Sequence, residues 1–78
     1  MAGRFGHYAH YLLGSYYKGL FNSSYEVLKM VGTSDTELLY ATFEYGRWAI
    51  WQFEDIGKKD SKLEEKVHEL SKLLPQEK

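Results

Sequence analysis

The chain reads as all-α, a small bundle of three to four helices, and three observations carry that reading. Serine is followed three residues later by glutamate at the head of an apolar run three times: Ser23 and Glu26, Ser34 and Glu37, Ser61 and Glu64. Each fits a capping box, in which the hydroxyl accepts from the third backbone N–H and the carboxylate reaches back to the cap residue. Stops follow the same segments: Gly32 after Val31, Gly57 after Ile56 and Pro75 after Leu74. Glycine takes the left-handed backbone that closes a helix, and proline cannot continue one. The apolar residues also fail to alternate as a half-buried strand requires. Helices are expected at about 6–21, 24–31, 35–56 and 62–74, in a single domain over 1–74 with a short disordered tail at 75–78.

The first helix has the least definite start, near Arg4 to His7, and is expected to end around Leu20 to Asn22. Gly14 and Gly19 inside it each cost roughly 1 kcal/mol relative to alanine. Its inward stripe is read as Ala9, Leu12, Leu13, Tyr16 and Leu20, with Tyr8 and Tyr11 on the reverse beside His7 and Lys18. Asn22-Ser23-Ser24 formally matches a glycosylation acceptor, but reads better as the turn and cap before the second helix.

The third helix holds most of the information. Phe43, Tyr45, Trp48, Trp51 and Phe53 place five aromatic rings within eleven residues. At about 100° per residue, Leu39, Thr42, Phe43, Gly46, Ala49, Ile50 and Phe53 share one side, with Leu38 and Ile56 at its edge. Gly46 and Ala49 in that stripe allow another helix to approach closely. Tyr40, Trp48 and Trp51 lie near the opposite side with Ala41, Glu44 and Asp55. Two coverings of this second side are open. Either the helix is central, with the fourth helix burying the tryptophans, or they remain at the surface as a contact patch. On the fourth helix, Leu63, Val67, Leu70 and Leu74 form one narrow seam. Lys62, Glu65, Lys66, Glu69 and Lys72 form its solvated face.

Composition narrows function by exclusion. Ten basic and eleven acidic residues leave a net charge of −1, so no overall field draws in nucleic acid or an anionic membrane. Residues 1–53 carry four positive charges (Arg4, Lys18, Lys29, Arg47) and four negative ones (Glu26, Asp35, Glu37, Glu44), while the other thirteen fall in the last 25 residues. A sticky surface is therefore expected in the first two thirds. Cysteine is absent, which removes disulfides and thiolate metal sites and fits a reducing, cytoplasmic setting. The longest stretch without Asp, Glu, Lys or Arg, Phe5 to Tyr17, is too short and polar to cross a bilayer and lacks the features of a signal peptide. A soluble protein without a transmembrane segment is expected.

Motifs for chemistry are sparse. Glu65 and His68 have the Glu-x-x-His spacing of di-iron bundles, but the spacing occurs once and points away from the leucine seam. His7 and His10 lack an acidic third ligand nearby. No phosphate loop or nucleophile elbow is present, so no catalytic, cofactor-binding or metal residues are assigned, and neither a cofactor nor enzymatic activity is expected. The segment Leu28 to Leu38 has the outline of a helix-turn-helix, with Gly32 in the turn. Its second helix would show DNA Asp35, Thr36, Glu37, Leu39, Tyr40 and Phe43, with no basic residue before Arg47, which disfavours phosphate contact. A first helix resting on a membrane lacks the lysines and arginines its polar face would need.

The expectation is a small interaction protein, a homo-oligomer or an accessory subunit of a larger assembly. Its protein partner, a second copy or another chain, is expected at Tyr40, Trp48 and Trp51, with Tyr8 and Tyr11 as further contacts. A DNA-binding helix-turn-helix regulator is the alternative.

Overall fold

The computed structural model describes residues 4–74, with side chains from residue 6, and contains three helices there: α1 (Arg4–Val31), α2 (Thr36–Glu54) and α3 (Ser61–Leu73). The all-helical bundle matches the class read from the sequence. The two helices expected at 6–21 and 24–31 are instead one helix of 28 residues, which makes α1 and not the aromatic helix the longest element. Phe21, Tyr25 and Leu28 lie on one side of α1 across the supposed break, the first and last of them buried. Burying a phenylalanine and a leucine stabilises by about 1.5–3 kcal/mol each. Asn22, Ser23 and Ser24 oppose this with helix propensities only a fraction of a kcal/mol below alanine, so packing carries the helix through them.

The starts of α2 and α3 are correct to within a residue, but their caps are not the serines. Asp35 accepts from the Leu38 N–H at 3.1 Å, and Asp60 accepts from the Leu63 N–H at 3.1 Å. A carboxylate accepts as well as a hydroxyl and also complements the positive end of the helix dipole. With aspartate as the cap, the third helical residues are Leu38 and Leu63. Glu37 and Glu64 therefore miss the capping-box position.

The glycine stops hold. Gly32 has φ 91° and its N–H donates to the Leu28 carbonyl at 2.8 Å; Gly57 has φ 74°, and Lys58 N–H reaches back to the Phe53 carbonyl at 2.8 Å. Both are left-handed closures that favour glycine. Pro75 and the tail at 75–78 lie outside the described residues.

The core consists of Phe21, Leu28, Leu39, Ala49, Phe53, Leu63, Val67 and Leu70. Two glycines set the helix spacing. A Cβ on Gly14 would stand 2.6 Å from the Phe53 ring, and one on Gly46 would collide with Val67 of α3 and stand 2.8 Å from Phe21 of α1. All three helices thus converge on Gly46, with α2 in the middle. The core side read for α2 is observed: Leu39, Thr42, Gly46, Ala49 and Phe53 are buried, with Phe43 and Ile50 partly so. Thr42 is wholly buried, and its hydroxyl donates to the Leu38 carbonyl at 2.7 Å, which removes the desolvation cost. The α3 seam is likewise buried at Leu63, Val67 and Leu70, with Leu74 partly covered.

The inward stripe read for α1 is wrong. Ala9, Leu12, Leu13 and Tyr16 are exposed and Leu20 only partly covered. The buried side is Gly14, Phe21 and Leu28, at intervals of seven, flanked by His10, Tyr17, Lys18 and Tyr25. Close approach through Gly14 decides this rotation, since a helix lies nearer its neighbour where side chains are smallest. The polar members of that side find partners: His10 Nδ1 meets Gln52 Oε1 at 2.5 Å, and Lys18 Nζ donates to Asp60 at 2.6 Å.

Candidate interaction surface

Among the described residues, the side of α2 turned away from Gly46 is only partly covered. Trp48 is 45% exposed, Trp51 62% and Tyr40 38%. The reading in which the last helix buries the tryptophans is overturned, because α3 docks against the Gly46 side through Val67. An open depression on this face is lined by Arg47, Trp48, Ile50, Trp51 and Glu54. Two carbon-rich rings thus meet water beside one cation and one anion, the usual make-up of a contact patch with a polar rim.

The patch is held rather than loose. The Trp48 ring packs edge-on against Tyr17 of α1, with centroids 5.2 Å apart and planes at 79°, and Tyr17 in turn meets Tyr16 at 5.6 Å and 60°. Edge-to-face pairs are worth about 0.5–1.5 kcal/mol beyond their buried area. This ladder fixes the tryptophan and joins the α2 patch to α1. Arg47 lies 3.7 Å from Glu44 and 5.6 Å from the Phe43 ring, so its charge is matched on its own helix.

The five residues singled out from sequence do not form one site. Trp48 and Trp51 are adjacent, and Tyr40 lies about two turns earlier on the same side of α2. Tyr8 and Tyr11 are exposed on α1, at 61% and 42%, but Tyr11 faces Lys58 at 5.3 Å, beside the link between α2 and α3. Tyr17 meets Trp48 from another side of α1, about 120° round the helix from Tyr11. The residues missed are Tyr16 and Tyr17. Their signal was the heptad line Gly14, Phe21 and Leu28, which would have turned α1 and brought Tyr17 toward α2.

Among the described residues, no group of three or more His, Cys, Asp or Glu is placed to hold a metal ion. His10 engages α2 and not His7: besides Gln52, its Nε2 lies 3.7 Å from Asp55. The Lys18 ammonium hydrogen bond, then the Leu63 N–H, hold the Asp60 carboxyl below its ordinary pKa of 3.8. Asp60 therefore caps α3 and ties it to α1, a structural task some way from the tryptophans.

Among the described residues, these features define a small three-helix bundle that carries a partly exposed aromatic face on its middle helix. Comparison with protein families, with curated proteins and with solved structures finds no match to this chain. No described helix is long and apolar enough to cross a membrane.

Proposed function

We propose that the chain is a small non-catalytic interaction protein, a homo-oligomer or an accessory subunit of a larger protein assembly, and that Trp48 and Trp51, with Tyr40 beside them, form its contact surface. The observation that carries this reading is the Trp48 ring, half exposed yet braced by Tyr17. A ring already fixed in place loses little side-chain entropy when a partner covers it, which is why tryptophan and tyrosine dominate the energy of protein contacts. The alternative, a helix-turn-helix regulator, draws less support: the exposed side of α2 offers Glu37, Glu44 and Glu54 against the single cation Arg47, already matched by Glu44.

Trp48 and Trp51 are the protein's two tryptophans, so the chain's fluorescence under excitation selective for tryptophan reports on this surface. In the native complex isolated from its own cells, emission should shift to the blue relative to the purified chain. Trp48→Ala combined with Trp51→Ala should lower the native mass of the complex while far-UV circular dichroism keeps most of its helical signal. An unchanged native mass for the double variant, with helicity retained, removes the proposal.

A further inference from the structure

A second uncovered face runs the length of α1. Ala9, Leu13, Tyr16, Leu20, Ser23, Val27 and Met30 follow one another at intervals of four, three, four, three, four and three residues. That is the heptad repeat of a coiled-coil seam, sustained for three heptads with no charge in it. Six of the seven are exposed and Leu20 is partly so, with Tyr16 at 62% and Met30 at 82%. The seam lies about 120° round the helix from the buried line of Gly14, Phe21 and Leu28, so neither α2 nor α3 covers it. Heptad spacing is not needed by a helix that faces water. It is needed by one that runs along another helix.

We infer that this seam takes a second copy of the chain, with the two α1 helices antiparallel about a two-fold axis between Phe21 and Asn22. That register sets Leu13 against the partner's Met30, Tyr16 against the partner's Val27 and Leu20 against the partner's Ser23. Tyr16 and Leu20 then meet the smaller Val27 and Ser23, as interdigitating layers require, and Leu13 meets a methionine of about its own size. A parallel pair would stack each tyrosine on its twin and each serine on its twin. Antiparallel helices also set their dipoles favourably, and a seam without charge brings no like charges together at the two-fold. The α2 patch lies on another helix, so self-association through α1 leaves the tryptophans to a partner other than this chain; Tyr16 reaches that patch through Tyr17, and Val27→Lys is the variant that tests the seam alone.

The test is sedimentation of the full chain over a concentration series. A monomer–dimer equilibrium is expected. Val27→Lys, and separately Tyr16→Lys, should weaken dimerisation at least about a hundredfold by burying an unpaired charge. Both side chains are exposed in the single chain, so far-UV circular dichroism of each variant should match the parent. The Trp48→Ala and Trp51→Ala double variant should dimerise as the parent does. A chain that stays monomeric throughout, or seam variants that dimerise like the parent, overturns the inference. Loss of dimer in the tryptophan variant alone moves self-association to α2 and equally overturns it. Because the chain has no cysteine, orientation can be read directly by mixing Leu13→Cys and Met30→Cys chains under oxidation. The antiparallel pair gives mostly the mixed disulfide, and predominance of either self-linked product refutes that orientation.

Discussion

On α1, one side carries Gly14, Phe21 and Leu28 with His10, Tyr17, Lys18 and Tyr25, while the side about 120° away carries Ala9, Leu13, Tyr16, Leu20, Val27 and Met30. Hydropathy ranks the second side as the interior, yet the chain buries the first. The difference teaches that apolar count is the weaker guide to a helix's rotation. Gly14 makes room for the Phe53 ring, Phe21 fills the space left by Gly46, and Gln52 and Asp60 satisfy His10 and Lys18. Close contact with satisfied polar groups outweighs a longer apolar row that meets no other described helix of the chain.

The largest test of this comparison is to truncate one aromatic on each side. Phe21→Ala should cost about 3–5 kcal/mol, enough to unfold much of so small a chain. Tyr16→Ala, at concentrations where the chain is monomeric, should lose no more than about 1.5 kcal/mol, the edge contact with Tyr17. Denaturant titration compares them, and equal losses would break the distinction between the two sides. A second pair isolates packing from helix propensity by making the same change twice. Gly46→Ala forces a methyl into Phe21 and Val67 and should lose about 1–3 kcal/mol. Gly19→Ala meets nothing within 4 Å and should gain up to about 1 kcal/mol, both read from thermal midpoints.

The smallest effect concerns the link between the buried side of α1 and α3. Asp60→Ala removes a cap and an ion pair and should cost about 1 kcal/mol, whereas Asp60→Asn keeps the cap and should lose less. The pH dependence follows from the lowered pKa. Lys18 and the Leu63 N–H favour the charged carboxylate in the folded chain, so the contribution is complete above the ordinary value of 3.8 and disappears as pH falls through the lower folded value. Asp60→Asn should flatten that part of a stability curve measured from about pH 6 to about pH 2; a curve identical to the parent's would show that the pair adds nothing.

Much of this was legible in the sequence. Gly32 and Gly57 marked helix ends because a positive φ selects glycine, and the buried row of α2 followed from angle alone, since no competing apolar row of equal length lies beside it. The α3 seam was as plain, because charge fills the rest of that helix. Three things were hidden. Asn22-Ser23-Ser24 has the composition of a turn, and only the contacts of Phe21 and Leu28 with other helices carry α1 through it. The caps moved by one residue because aspartate stands directly after Ser34 and directly before Ser61, and proximity in sequence does not say which oxygen turns toward the helix. The rotation of α1 depended on Gly14 meeting Phe53, a contact 39 positions away in the chain. For the candidate surface, Tyr40, Trp48 and Trp51 are legible on α2, but the sequence reading puts Tyr16 in the wrong surroundings and does not single out Tyr17, for the same reason.

At about 1.5 Å per residue, the 28 residues of α1 span about 42 Å, and the longest dimension of the molecule is 42 Å. The first helix is therefore a ruler. Whatever touches Tyr8 at one end and Met30 at the other is kept apart by a distance that backbone geometry sets, with no loop between them to stretch or fold.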